Sequence, residues 1–124
     1  MARNNKYNGW LKKRSRVKYN LKHKNRSNLP RLVVFRSNTN IYAQLVDDSK
    51  NATILSASSM DQDLQTVISK AEGKIEKSKI VGNSIAVKMK KAKIERAIFD
   101  RNGYQYHGRI KAFTDAVRSA DITI

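Results

Sequence analysis

The sequence predicts an α/β domain preceded by a basic N-terminal helical arm. The domain is expected to hold a mixed sheet, a three-strand antiparallel meander plus parallel strand(s), with helices packed on it. Three observations predict this. Residues 31–58 contain three strand-like runs separated by turn-forming tetrapeptides. Residues 59–119 switch to helical spacing, broken once by a short strand-like run. The resulting order βββ-α-β-α brings a later strand beside the meander by a right-handed crossover. Finally, the first 36 residues carry twelve Lys or Arg and no acid.

The arm spans residues 1–29 and the domain residues 30–124. In the arm, Tyr7, Trp10, Leu11, Val17 and Leu21 recur at helical intervals, which predicts a helix over roughly residues 6–22 with a narrow apolar stripe. Its asparagines weaken helix propensity and its like charges repel, so the free arm is expected to be mostly disordered and to order on its partner. Ser27-Asn28-Leu29-Pro30 reads as the linker. Arg31–Arg36 is apolar on both faces, as a central strand would be. Ile41–Asp47 alternates, and Ala52–Ser58 is the third strand. Ser37-Asn38-Thr39-Asn40 and Asp48-Ser49-Lys50-Asn51 are the turns between them.

Ser59-Met60-Asp61-Gln62 matches a capping box opening a helical stretch that carries Leu64, Val67, Ile68, Ala71 and Ile75, with Gly73 against it. A helix over about 78–92 presents Val81, Ile85, Met89 and Ala92. Arg96–Phe99 reads as a fourth strand and Asn102-Gly103 as a turn. Ile110, Phe113 and Val117 mark a last helix over about 108–119, and Ile122-Thr123-Ile124 a terminal strand.

Composition narrows function. In 124 residues, 26 Lys and Arg against 10 Asp and Glu give a formal charge of +16. Residues 37–124 account for only +4 of it, so an ordinary domain carries a cationic arm. Self-repulsion on this scale is relieved by a polyanion. The absence of cysteine excludes disulfides, thiolate metal sites and a cysteine nucleophile, and two histidines cannot build a three-histidine zinc site. The longest apolar run, Leu32-Val33-Val34-Phe35, is far short of the ~20 residues that span a bilayer. No apolar stretch of the secretory type follows the N-terminal charges, so no such signal is expected.

Tyr7, Trp10 and Tyr19 among the arm cations suit nucleic acid, because cations neutralise phosphates while rings stack on bases or pack on the domain. The segment from Asp100 to Arg109 gathers two arginines, two tyrosines, a histidine and two glycines between a strand and a helix. Arg101 and Arg109, with the amides at the helix start, suit a phosphate. His107 has no nucleophile or orienting group beside it in sequence. The acids Asp47, Asp48, Asp61, Asp63 and Asp100 occupy turns and a helix start, which argues against a two-metal carboxylate site. Neither a Walker-type loop nor GxGxxG occurs. No metal, cofactor or small-molecule substrate is expected.

Two motifs carry a resemblance. Arg31-Leu32-Val33-Val34-Phe35-Arg36-Ser37-Asn38 with Ile41-Tyr42-Ala43-Gln44 is the first. Phe99-Asp100-Arg101-Asn102-Gly103-Tyr104-Gln105-Tyr106-His107-Gly108-Arg109 is the second. In both, in the right order and spacing, the chain resembles the bacterial-type large-subunit ribosomal protein numbered eighteen, a family that binds 5S ribosomal RNA. The likeness covers essentially the whole chain. It implies a ribonuclease-H-like sheet without nuclease activity and no catalytic residues. It also implies partners: 5S ribosomal RNA, 23S ribosomal RNA in the central protuberance, and neighbouring large-subunit proteins. The compartment would be the bacterial cytoplasm or an organellar matrix or stroma.

The expected RNA contacts are Lys12, Lys13, Arg14, Arg16, Lys18, Lys22, Lys24 and Arg26 in the arm. Arg31, Arg36, Ser37, Asn38, Tyr42 and Gln44 belong to the first motif, and Arg101, Tyr104, His107 and Arg109 to the second. Lys93 stands where the family usually has the glycine ending its long helix, and Asn102-Gly103 where it often has two glycines. Three alternatives compete: a basic amphipathic membrane-surface protein, a nuclease on the same fold, and an arm that is a transit peptide. The diluted apolar stripe, the missing carboxylate pair and the family-matching arm residues weigh against them in turn.

Overall fold

The computed structural model describes residues 9–16 and 29–124. Lys18, Lys22, Lys24 and Arg26, the linker's Ser27 and Asn28, and both ends of the helix expected over 6–22 lie outside the described residues.

Residues 9–16 are helical (α1). Four strands follow: β1 (Arg31–Arg36), β2 (Ile41–Asp47), β3 (Ala52–Ser58) and β4 (Ile98–Asp100), in the spatial order β3-β2-β1-β4. β1 pairs antiparallel with β2 and parallel with β4, and β2 pairs antiparallel with β3. This is the mixed sheet that the sequence and the resemblance lead one to expect. Placing β1 between β2 and β4 explains its unbroken apolar run, since Leu32, Val33 and Val34 are all buried.

Alternation in β2 divides the faces. Ile41, Ala43 and Leu45 are buried, while Tyr42, Gln44 and Val46 lie on the other face, half-buried. The buried face meets α3 (Lys74–Lys91) through Val81, Ile85 and Met89 and α4 (Arg109–Ser119) through Ile110, Phe113 and Val117. Each of these larger side chains contributes about 1.5–3 kcal/mol by leaving water. α3 and α4 cross closely at Gly82, where an added Cβ would lie 2.6 Å from the Phe113 carbonyl oxygen.

Five expectations are corrected. The capping box does not form: the Ser59 hydroxyl accepts the Ile41 N–H (3.1 Å) and donates to the Asn40 side-chain carbonyl (2.9 Å). The stretch after it is not one helix carrying Ile75. It is a 3₁₀ turn (Gln62–Leu64) and a short α2 (Gln65–Ser69), stopped before Gly73, whose φ is 110°. Ile75 instead belongs to α3, which starts at Lys74 rather than near Ser78; the Ser78 hydroxyl back-bonds to the Lys74 carbonyl inside the helix. The terminal run 122–124 makes one parallel bridge, Arg96 to Thr123, and no strand. Thr123 bonds to the backbone of Glu95 and Ala97, which leaves β4 to start at Ile98 instead of Arg96.

Candidate nucleic-acid interface

The second motif is a loop anchored from below. The Asp100 carboxylate, fully buried at the end of β4, accepts the Asn102 N–H (2.8 Å) and the Arg31 guanidinium (2.5 Å). Asn102 and Gly103 turn the chain with φ of 57° and 78°. Asparagine tolerates this geometry, so the turn survives without a second glycine.

On this loop sits α1. The Arg14 Nε donates to the Asn102 side-chain carbonyl at 2.6 Å. A Cβ on Gly103 would fall 2.9 Å from the Arg14 Cα, so only glycine permits the approach. Trp10 stacks on Tyr104 with ring centroids 5.6 Å apart. Arg14 lies 5.7 Å from the Trp10 centroid and Arg36 lies 4.9 Å from that of Tyr104. Arg14, Trp10, Tyr104 and Arg36 thus form one continuous stack of cation, ring, ring and cation. Of the two roles open to Trp10, the structure takes packing on the domain. Residues 9–16, part of the arm expected to order on its partner, lie docked on the domain.

Beyond the stack, Arg109 donates to the Ser37 carbonyl at 2.7 Å, tying the second motif to the turn of the first. Burial first, and then the neighbouring Arg36 charge, hold the Arg109 guanidinium below its ordinary pKa. Arg14, Arg36, Tyr104 and Arg109, expected from the sequence as contacts, are therefore brought together in one chain of contacts with the backbone of Ser37. Lys12, Lys13, Arg16, Asn38, Arg101 and His107 are exposed around it.

Other expected residues lie elsewhere. Tyr42 and Gln44 sit on the open sheet face, and the Tyr42 hydroxyl donates to the Met60 sulfur at 3.3 Å. Arg36, which pairs with Ile41 in the ladder, stands on the helix side. Arg31 is the sharpest correction. It is 8% exposed and holds Asp48 at 3.0 Å as well as Asp100. Burial alone would lower its pKa, but hydrogen bonds to Asp48 and Asp100 prevail and raise it. Its guanidinium is occupied by these two carboxylates inside the fold, which argues against the RNA contact expected of it. One residue of this cluster was missed from the sequence: Asn102, read only as a turn residue, whose side chain holds Arg14.

The described carboxylates have structural work of their own. Asp47 accepts Ser49, which lowers its pKa, and Asp61 accepts the Ser58 N–H with Lys88 at 3.7 Å. Among the described residues no three His, Asp or Glu side chains converge as a metal site, and no helix is long and apolar enough to cross a membrane.

A mixed α/β domain whose arginines and rings gather in one surface cluster, with residues 9–16 of an acid-free arm docked on it, has the make-up of a nucleic-acid-binding protein. Comparison with known proteins makes this specific. The chain belongs to the family of ribosomal protein L18 of archaea, bacteria, mitochondria and chloroplasts, whose model matches residues 4–124. It is 44% identical over 121 residues to large ribosomal subunit protein uL18 of Ruegeria pomeroyi, covering 98% of each chain. It is 49% identical over 94 residues to that of Fusobacterium nucleatum, covering 76% of each. With that of Lactobacillus delbrueckii it shares 52% identity over 89 residues, covering 72% of this chain and 71% of the relative. This is a family of ribosomal proteins and not of enzymes, so the nuclease alternative is set aside.

Proposed function

We propose that this protein of the large ribosomal subunit binds 5S ribosomal RNA and helps attach it to 23S ribosomal RNA in the central protuberance, beside neighbouring large-subunit proteins. The observation that supports this best is the stack Arg14–Trp10–Tyr104–Arg36. It makes residues 9–16 and the two motif loops one surface, on which cations far apart in sequence can meet one folded RNA. Roles divide along that surface. Exposed arm cations such as Lys12 act on phosphates and supply affinity without regard to sequence. Arg36 and Arg109, held by rings and backbone, meet only an RNA of matching shape.

Competition binding with labelled 5S ribosomal RNA and transfer RNA tests this. Arg36→Ala or Arg109→Ala is expected to reduce the preference for 5S ribosomal RNA, while Lys12→Ala weakens both alike. Equal losses on both RNAs from all three variants would refute the division of roles.

A further inference from the structure

The end of β1 and the starts of α3 and α4 enclose a cleft of about 360 Å³. Arg36, Lys74, His107 and Arg109 line it together with Gln105, and none of its lining residues is a carboxylate. Three permanent cations share one concavity with no counter-charge, an arrangement that costs stability unless an anion enters.

The helix starts sharpen the point. α3 opens with Lys74 and α4 with Arg109, each directly after a glycine cap without a side-chain hydrogen bond. A cation at the first helical position opposes the helix dipole, so neither side chain is placed for the benefit of its helix. The same dipole and the amides beneath it favour an anion. The acid of the α3 first turn, Glu76, lies outside the cleft lining, with its carboxylate 3.6 Å from Lys79. The depressed pKa of Arg109 reflects the same crowding by burial and by Arg36.

We propose that this cleft seats one backbone phosphodiester of the bound RNA, with Lys74 as a phosphate contact that neither RNA motif contains. The proposal rests on the RNA-binding reading above. Arg36 and Arg109 offer planar forks to the phosphate oxygens, and Lys74 adds a mobile point charge from the other side.

The test is binding of the full chain to transcribed 5S ribosomal RNA over about 50–200 mM salt. Wild type is compared with Lys74→Gln and with Lys91→Gln, the same charge change at the far end of α3. Lys74→Gln is expected to weaken binding about threefold to tenfold and to make the log–log salt slope shallower by roughly one. Its melting temperature should hold or rise, because an unfavourable charge leaves the helix start. Unchanged affinity and slope in Lys74→Gln, with tight binding by the wild type, would overturn the cleft and leave the function standing. Equal losses in Lys91→Gln would also overturn it, as a loss of charge in general. So would thermal stabilisation by inorganic phosphate at matched ionic strength that Lys74→Gln abolishes without any change in RNA binding, which would make free phosphate the ligand. A wild type that fails to bind the RNA would overturn both readings.

Discussion

Arg31 and Arg36 begin and end the same strand and carry the same charge, yet the fold gives them opposite tasks. Arg31 reaches Asp48 and Asp100, 17 and 69 residues away, inside the protein. Arg36 lies over Tyr104, 68 residues away, and stays exposed. Nothing local distinguishes them, which is why both read from the sequence as RNA contacts. The distinction lies in partners that only the folded chain assembles. Removing one member of a buried ion pair strands the other, at a cost of about 3–5 kcal/mol. Arg31→Met is therefore expected to lower unfolding stability by that amount in urea denaturation. Folded Arg31→Met should keep its preference for 5S ribosomal RNA over transfer RNA. Wild-type stability with lost RNA preference would return Arg31 to the interface.

At the scale of elements, legibility followed the strength of the period. The three meander strands run over the residues expected of them, because turn residues bound each run and the central pair carries clear patterns, unbroken apolar in β1 and alternating in β2. The short strand β4 and the start of α3 were misplaced, because their bounds depend on distant backbone at Thr123 and on the left-handed Gly73. The end of α3 shows a local rule overridden. Lys93 takes φ 60°, its N–H bonding to the Lys90 carbonyl and that of Ile94 to Met89. This is the Schellman closure that glycine usually makes. The cap forms, but a side-chain-bearing residue in that conformation costs roughly 1–2 kcal/mol. Lys93→Gly removes the strain at some expense in unfolded-chain entropy, so thermal unfolding should show a net gain of about 0.5–1 kcal/mol. A loss of stability would mean that the Lys93 side chain itself supports the fold.

Across the whole molecule, charge was the most legible property and placement the least. The acid-free run of residues 1–36 announces a polyanion partner from composition alone. It does not announce that α1 docks on the loop after β4, since that contact joins Arg14 to Asn102 across 88 residues. Docking matters energetically, because cations already held beside Arg36 and Arg109 surrender less conformational freedom on binding. On the proposed function, the arm and the two motifs neutralise one folded RNA together. The most direct measurement of it is the affinity of the full chain for 5S ribosomal RNA as a function of salt. With about eight to twelve cations on phosphates, log affinity should fall against log salt with a slope of roughly −6 to −11. A slope shallower than about −3 would contradict the account, because so few released counterions leave the cationic arm without its task.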